Sequence, residues 1–279
     1  MRSHPKILIA SDMTARSDRP FDRAVRLAKQ RQGSLVLLHV VDETDRVASA
    51  LPLDRTRLKI IAQLPPVDVP LEVVVRIGSA PECIANTAAG IQADLIVVGP
   101  ARFNDLRDFL LGTAVDYLVR RATVPVLVVK KRPLADYRTA LIATDFSPCS
   151  AHAAVTAAEM LPHAQLVLFH AFVTPFPSRA DRREMLPFAQ NRAREDMAAF
   201  LASDAMSGVK ERLLSEIEEG LAATVVDRRI REAGIDLLVV GTHGSSGLQH
   251  ALLGGRASQL LTEASCDVLM VREMPAAKT

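Results

Sequence analysis

The chain repeats itself, and this duplication limits the available folds more than any other feature of the sequence. Four segments of the first half return in the same order in the second half. The pairs are Lys6–Asp12 with Ala140–Asp145, Leu35–His39 with Leu166–His170, Ala93–Gly99 with Ile235–Gly241, and Val126–Val129 with Val268–Val271. Repetition in a fixed order indicates a duplicated domain of about 135 residues. The 279 residues are therefore predicted to form two domains, at 1–133 and 134–279.

The two copies differ in length at one place. The offset between paired segments is 133 at the first pair, 131 at the second and 142 at the last two. Half two therefore has about eleven more residues after His170. The stretch 172–191 contains Pro175, Pro177 and Pro187 among mixed charges, which predicts an exposed loop followed by an amphipathic helix over 188–202.

Each copy alternates between short apolar runs and segments with helical spacing. The runs are nearly unbroken Val, Ile and Leu, which is typical of strands buried on both faces of a parallel sheet. Helices are predicted over 20–32, from Ser147-Pro148 to near Pro162, and from Ser79, where Glu82 completes a capping box. The predicted fold class is α/β, with two tandem doubly wound parallel sheets of five strands each.

The composition excludes several classes of function. No apolar run reaches the roughly 18 to 20 residues that cross a membrane. With a net charge of +2 and an aromatic content of 4%, the chain lacks both the strong positive potential and the aromatic stacking surfaces of nucleic-acid binders. Three scattered cysteines suit a reducing compartment, so we expect a cytoplasmic protein without nucleic-acid or membrane partners.

The sequence also indicates where a ligand would bind. In a doubly wound sheet, ligands lie at the carboxyl ends of the strands, where the strand order reverses. Asp12 and Asp145 follow the first strand of each copy, and Gly99 and Gly241 follow the fourth. In half two a glycine-rich loop continues through Gly244 to Gly254-Gly255 and then enters an apolar helical stretch. Free amide groups at such a helix start can hold phosphate.

The spacing of these glycines resembles the universal stress protein family in its tandem form, and the resemblance covers essentially the whole chain. The family motif is Gly-x2-Gly-x9-Gly-(Ser/Thr), which Gly241, Gly244 and Gly254 match in half two. The family's first-strand acid, which contacts adenosine, corresponds to Asp145. The resemblance implies a cytoplasmic stress-response protein that binds ATP or another adenine nucleotide, with any Mg²⁺ arriving on the nucleotide. The binding positions implied for half two also include Ala171, Val240, Gly255 and Arg256; those for half one are Asp12, Val40, Gly99, Arg102, Gly112 and Thr113.

Each half departs from the motif at one position. Gly255 stands in half two where the family has Ser or Thr, so one hydroxyl that would meet the phosphates is missing. Arg102 stands in half one at the second glycine, although Gly112 and Thr113 complete the motif. The arginine either blocks the phosphates or offers them its guanidinium, and the sequence leaves both alternatives open. Because a long side chain disrupts a tight loop more than a lost hydroxyl does, we expect half two to be the better site.

Other functions find less support in the sequence. Neither G-x-x-x-x-G-K-[ST] nor G-x-G-x-x-G is present after a strand, which argues against a P-loop enzyme and a dinucleotide site. No catalytic residue and no metal-ligand cluster is assigned, and His39 and His170 are interpreted as caps of strand ends. Binding is therefore favoured over turnover. The alternatives are an interaction protein that has lost nucleotide binding and, less favoured, a slow ATPase.

The last strand of each copy also bears on assembly. Val126–Val129 and Val268–Val271 come last in their copies, which predicts that they lie at sheet edges, where unpaired backbone groups invite pairing. We expect these edges either to meet within the chain as a pseudo-dimer or to join a second chain as a homodimer.

Overall fold

The structure is a computed structural model that describes residues 2, 4–44, 52–100, 113–174, 179–242 and 255–272. The chain divides into two compact units, Met1–Asp136 and Tyr137–Thr279. The predicted boundary between residues 133 and 134 lies close to this division. We refer to the two units as half one and half two.

Half one contains five parallel strands and four described helices. The strands are β1 Lys6–Ala10, β2 Ser34–Val41, β3 Leu71–Ile77, β4 Leu95–Val98 and β5 Val126–Val128. The helices are α1 Asp18–Gln30, α2 Leu53–Gln63, α3 Ala80–Gly90 and α4 Thr113–Arg121. The strands run in the order β3-β2-β1-β4-β5, so β1 lies between β2 and β4. This order reverses direction at β1, as a doubly wound sheet requires.

Half two repeats the same arrangement. Its strands are β6 Thr139–Ala143, β7 Gln165–Phe172, β8 Leu213–Glu219, β9 Leu237–Gly241 and β10 Asp267–Val271. Its helices are α5 Pro148–Met160, α6 Arg179–Leu201, α7 Ala222–Ala233 and α8 Gly255–Glu263, with short 3₁₀ helices at Asp204–Met206 and Lys210–Arg212. The order β10-β9-β6-β7-β8 places β6 between β7 and β9. The predicted α/β fold with two doubly wound parallel sheets is confirmed.

The central strands explain the apolar runs in the sequence. Leu8, Ile9 and Leu95 in half one, like Leu141 and Leu238 in half two, are fully buried. Helices cover both faces of a doubly wound sheet, so the middle residues of a central strand are buried whichever face they point to. This burial removes the alternation of polar and apolar residues that half-exposed strands show.

The aspartate of the repeated Asp-Leu-(Ile/Leu)-Val-Val segment has a structural role. Asp94 Oδ2 accepts a hydrogen bond from the backbone N–H of Lys6 at 2.9 Å. In half two, Asp236 Oδ2 accepts from the N–H groups of Arg138 and Thr139, at 2.8 and 3.1 Å. Both carboxylates therefore satisfy backbone donors where the central strand begins, at the opposite end of the strand from the ligand crevice.

Three arginines of α1 hold the segment that ends half one. Arg19 donates to the Lys130 carbonyl at 2.9 Å, and the buried Arg23 donates to the Ala135 carbonyl at 2.9 Å. Arg26 donates to the Leu134 carbonyl at 3.2 Å and pairs with Asp136 at 3.3 Å. Residues 130–136 are therefore held along α1 by side-chain hydrogen bonds.

Three local predictions need correction. The helix predicted over 20–32 is α1, which ends at Gln30; Gln32 has a φ of 49° and reverses the chain. Ser79 precedes α3, but its side chain makes no capping hydrogen bond. The predicted exposed loop is wrong from residue 179 onward, because α6 begins at Arg179 and continues through Pro187. Strong helix formers before and after Pro187 offset the backbone bond that the proline removes.

Candidate functional site

The predicted site residues of half two follow neighbouring strands. Asp145 comes after β6, Gly241 ends β9, and Ala171 lies near the end of β7. Because β6 pairs in parallel with both β7 and β9, these three positions lie together at the carboxyl ends of the strands. This is the strand-order reversal at which ligands bind in such sheets.

A cavity of about 420 Å³ opens there, between the carboxyl ends of the strands and helices α7 and α8. Six of the eight residues predicted for half two line it: Asp145, Ala171, Val240, Gly241, Gly255 and Arg256. The other two, Gly244 and Gly254, lie outside the described residues. The cavity volume falls within the range of about 300 to 1,000 Å³ that is usual for small-molecule sites.

The cavity has further lining residues that the motif did not indicate: Ala143, Thr144, Ser150, Phe169, His170, Ala222, Thr242, Val226, Ala257 and Leu260. Two of these could have been predicted from the sequence, because Thr144 and His170 adjoin predicted site residues. Others had no local signal. Ala222 and Val226 lie one helical turn apart on α7, and only the packing of that helix brings them to the cavity.

The turn that carries Asp145 is held by hydroxyl groups of the α5 start. The Ser147 side chain caps the helix by accepting from the Ser150 N–H at 3.2 Å, and Pro148 occupies the first helical position. Ser150 Oγ donates to the Ser147 carbonyl at 2.8 Å and lies 2.9 Å from Thr144 Oγ1. Asp145 Oδ1 accepts from the Ser147 N–H at 3.2 Å. The acid is therefore presented by a turn whose hydroxyls bond mainly to one another and to the backbone.

His170 is oriented by the same turn. Its Nδ1 lies 2.8 Å from the Thr144 carbonyl oxygen, which can only accept, so Nδ1 carries the proton and donates. The Phe146 ring packs against the imidazole, with ring centroids 4.2 Å apart. His39 makes the matching contact to the Ser11 carbonyl in half one, at 3.0 Å. Each imidazole thus contacts the carbonyl that follows the neighbouring first strand, from a position two residues before its own strand ends.

Two glycines of the cavity wall face different surroundings. A Cβ on Gly241 would lie 3.0 Å from Cys149 Sγ and 3.2 Å from the Cys149 backbone, so the first turn of α5 leaves no room for a side chain. Among the described residues, a Cβ on Gly255 would meet no heavy atom within 4 Å. Helix packing therefore restricts Gly241, whereas position 255 has space for the hydroxyl that the family motif carries there.

The first-strand acid of half one has a different environment. Asp12 Oδ1 accepts from the Thr14 N–H at 3.0 Å, from Thr14 Oγ1 at 2.7 Å and from Ser17 Oγ at 2.6 Å. The Asp12 N–H in turn donates to Ser17 Oγ at 3.2 Å. The carboxylate thus closes its own turn by accepting three hydrogen bonds from Thr14 and Ser17.

The remaining predicted residues of half one are only partly described. Val40 lies near the end of β2, and Gly99 follows β4 with its Cα close to α1, since a Cβ there would lie 3.3 Å from Pro20 Cγ. Thr113 begins α4. Arg102 and Gly112 lie outside the described residues, so the two alternatives for Arg102 stay open. Asp12, Val40 and Gly99 nevertheless follow three adjacent strands, as their counterparts in half two do.

Two absences hold for the described ranges. Among these residues, no group of three His, Cys, Asp or Glu side chains is placed to hold a metal ion. No helix within them has the length and apolar character needed to span a membrane.

Comparisons with known proteins agree with this arrangement. The model of the "Universal stress protein family" matches twice, at residues 4–130 and 136–272. Universal stress protein E of Escherichia coli K12 is 26% identical over 219 residues, which cover 73% of this chain and 69% of that protein. Two solved structures match nearly the whole chain. They are the functionally unknown protein PA1789 of Pseudomonas aeruginosa (TM-score 0.68, 21% identity, 97% of this chain and 93% of that one) and a universal stress protein of Archaeoglobus fulgidus (TM-score 0.64, 16% identity, 98% of each). At these identities, the structural matches support the fold alone.

Proposed function

The chain belongs to the universal stress protein family, and on that premise we propose that the strand-end cavity of half two binds ATP or another adenine nucleotide. One observation carries this proposal. Six residues that the family resemblance implies for the site, which together span residues 145–256, line a single cavity of about 420 Å³. A motif produced by chance would not be expected to converge in this way.

The lining suggests how a nucleotide would be held. Ala171, Val226, Val240 and Leu260 provide apolar surface for a purine base. The Asp145 carboxylate accepts hydrogen bonds from hydroxyl or amino groups of the nucleoside. At the far side, Arg256 and the first amide groups of α8 supply positive charge for phosphate oxygens. Any Mg²⁺ would be bound mainly by the phosphates.

We propose that the protein acts in the stress response by binding rather than by turnover, in the cytoplasm, as a homodimer or a pseudo-dimer. No general base for water attack can be identified in the sequence near the phosphate end, which makes a slow ATPase less favoured. Light scattering on the purified protein would give the oligomeric state.

A second candidate is an interaction protein without nucleotide. The observations that favour it are Gly255, which lacks the motif hydroxyl, and Asp12, whose carboxylate is used by Thr14 and Ser17. Mass spectrometry of small molecules extracted from freshly purified protein distinguishes the candidates. We expect ATP in the extract; ADP alone would favour turnover. An empty extract, together with no measurable ATP binding by calorimetry, would favour the interaction protein.

A further inference from the structure

The strand at the outer edge of the half-one sheet has one side without a neighbour. β3 lies at the end of the strand order and, among the described strands, pairs only with β2. Each of its seven residues, Leu71–Ile77, is in register with β2, so neither a bulge nor a proline interrupts it. An edge of this kind presents backbone groups to which another strand can add.

The hydrogen bonds at the two ends of β3 show which of its residues face outward. The Pro70 carbonyl accepts from the Leu35 N–H at 2.8 Å, and the Gly78 N–H donates to the Val41 carbonyl at 3.0 Å. In a parallel pair, alternate residues of a strand bond to the neighbour. The even-numbered residues of β3 therefore bond to β2, and the N–H and C=O groups of the odd-numbered residues point away from it. Within the described part of the chain, these outward N–H groups have no hydrogen-bond acceptor.

The side chains of β3 form a pattern that is symmetric about the centre of the strand. Val74 is the central residue, and Glu72 and Arg76 lie two positions to either side of it. An antiparallel copy of the strand, centred on Val74, would place Glu72 of each copy opposite Arg76 of the other. The remaining pairs are all apolar. Residues directly opposite each other in an antiparallel pair interact, and opposite charges there stabilise the pairing.

This register also satisfies the backbone. It pairs odd-numbered residues with odd-numbered ones, whose outward N–H and C=O groups then exchange hydrogen bonds. Glu72 and Arg76 fall in the pairs without such bonds, where the side chains lie closer together. A shift of two residues in either direction would place Glu72 opposite Val74 or Gly78. Only the register centred on Val74 gives every charge an opposite charge.

Both charged side chains are available to a partner. Glu72 and Arg76 are exposed, and neither has a hydrogen bond or an ion pair with another described residue. Charges of a single sign protect an edge strand because they repel a second copy. Two opposite charges placed symmetrically instead attract an antiparallel copy of the same strand.

β8, the matching edge strand of half two, lacks this symmetry. Its central residue is Glu216, so an antiparallel copy in the same register would place two carboxylates opposite each other. Glu216 and Glu218 also pair with Arg229 and Arg228 of α7. The acids of β8 therefore oppose self-pairing, whereas the charges of β3 favour it.

We propose that β3 is a dimerisation edge, at which two copies of this chain pair antiparallel about a twofold axis at Val74 and each Glu72 pairs with Arg76 of the other copy. The same strand serves both sides, so the contact is isologous. It is distinct from the edges predicted from the last strand of each half, and it does not depend on nucleotide binding. Because only seven residues pair on each side, we expect a dissociation constant of about 1 to 100 μM.

Sedimentation equilibrium of the purified full chain over a concentration series tests this proposal. We expect a reversible doubling of mass in the parent chain. Glu72→Arg and Arg76→Glu each create two like-charge pairs by symmetry, and each should weaken the dimer by about tenfold or more. The double variant Glu72→Arg with Arg76→Glu exchanges the charges and should restore the parent affinity. Glu232→Arg, the same change at an exposed position of α7, is the matched control and should have no effect.

A mixture of the two single variants gives the most specific result. The two arginines of the Glu72→Arg chain would face the two glutamates of the Arg76→Glu chain, so the mixture should dimerise although each variant alone does so poorly. A purely structural role of either side chain would not produce this recovery. Thermal unfolding confirms that each variant is folded.

Three results would overturn the proposal. The first is a parent chain that stays monomeric at every concentration, which would leave this edge to an extended segment of another protein. The second is dimerisation of both single variants with the parent affinity, which would place the contact elsewhere. The third is a failure of both the double variant and the mixture to recover, which would exclude the antiparallel register.

Discussion

The two halves differ most in the turn that follows their first strand. In half two, Ser147 and Pro148 start a helix three residues after the acid, and the hydroxyls bond within that helix start. The matching residues in half one are Thr14 and Ala15, which neither cap nor start a helix, and α1 begins only at Asp18. In this additional turn, the Thr14 N–H and the Ser17 hydroxyl donate hydrogen bonds to the Asp12 carboxylate. Both acids accept from the N–H two residues on, but only Asp12 also accepts from the hydroxyls of the turn that precedes its helix, among the hydrogen bonds described.

The surrounding framework is common to both copies. The residue after the acid has positive φ in each half, 59° at Met13 and 64° at Phe146. A backbone in this region is unusual for residues other than glycine, so both copies maintain the same strained turn. The strand-end histidines also make the same carbonyl contact. The two halves therefore share the backbone conformation of this turn and differ in the hydrogen bonds that its side chains make.

The largest expected effect tests which half binds nucleotide. We expect Gly244→Arg to weaken ATP binding more than about a hundredfold, because a long side chain would occupy the phosphate loop, whereas Arg102→Gly should leave binding unchanged or improve it. Both positions lie outside the described residues, so these expectations rest on the motif. Calorimetry of both variants measures the effect. If Gly244→Arg leaves affinity intact and Arg102→Ala destroys it, the site belongs to half one.

The glycines that follow β3 and β8 provide a stability comparison. A Cβ on Gly220 would lie 2.5 Å from Val225 Cγ1, at a φ of +147°. At the matching Gly78, with a φ of +141°, a Cβ would lie 3.3 Å from Cys83 Sγ. We expect Gly220→Ala to lower the free energy of unfolding by about 2 to 3 kcal/mol and Gly78→Ala by about 1 to 2 kcal/mol. Urea unfolding of the two variants would contradict this if Gly78→Ala were the more damaging.

Cys83 connects this comparison to thiol chemistry. Partial burial raises the pKa of the Cys83 thiol, with a smaller opposing effect from Arg76. The thiol is then less ionised at neutral pH and less nucleophilic than an ordinary cysteine. Val225 occupies the matching position in half two, which is consistent with a packing role for Cys83.

Substituting the first-strand acid of each half should distinguish a loss of nucleotide affinity from a loss of stability. We expect Asp145→Ala to weaken nucleotide binding by about tenfold, because it removes a charged acceptor from the cavity wall. Asp12→Ala should leave binding unchanged and lower the free energy of unfolding by about 1 kcal/mol, since Thr14 and Ser17 lose their acceptor. Affinity and urea unfolding are measured on both variants. Equal losses of affinity would show that the halves bind alike.

The sequence was sufficient for the features that depend on local patterns. Buried apolar runs predicted the strands, and the family resemblance carried by the glycine spacing and the repeated acid predicted six of the sixteen residues that line the cavity of half two. Other features depend on contacts between distant residues. The close approach of Cys149 to Gly241 is set by how α5 packs on β9. This distance is not encoded in any single segment.

A smaller effect is expected where half two departs from the motif. Gly255→Ser would add a hydroxyl at the start of α8, where a Cβ meets no atom of the described residues within 4 Å. We expect nucleotide binding to tighten by about threefold to tenfold, as one additional hydrogen bond to phosphate allows. Gly255→Ala is the matched control, which adds the carbon without the hydroxyl. Equal affinity in the serine and alanine variants would show that the phosphates do not reach this position.

The smallest expected effect concerns pH and the end of β2. The Asp42 carboxylate accepts from the Thr44 hydroxyl at 2.7 Å and from the Thr44 N–H at 2.8 Å, and these bonds lower the pKa of Asp42. A lowered pKa in the folded state stabilises the protein above the ordinary aspartate value of about 3.9, and this contribution is lost as pH falls through the lower folded value. Val173, which has no carboxylate, occupies the matching position in half two, so half two has no corresponding pH-dependent stabilisation.

We therefore expect Asp42→Asn to be slightly less stable than the parent chain at pH 6, with the difference in the free energy of unfolding shrinking below about pH 4. Urea unfolding across this range measures it, and Thr44→Val should reproduce the loss. A difference that grew on acidification would mean that the carboxylate is favoured in its protonated form, contrary to the geometry of the turn.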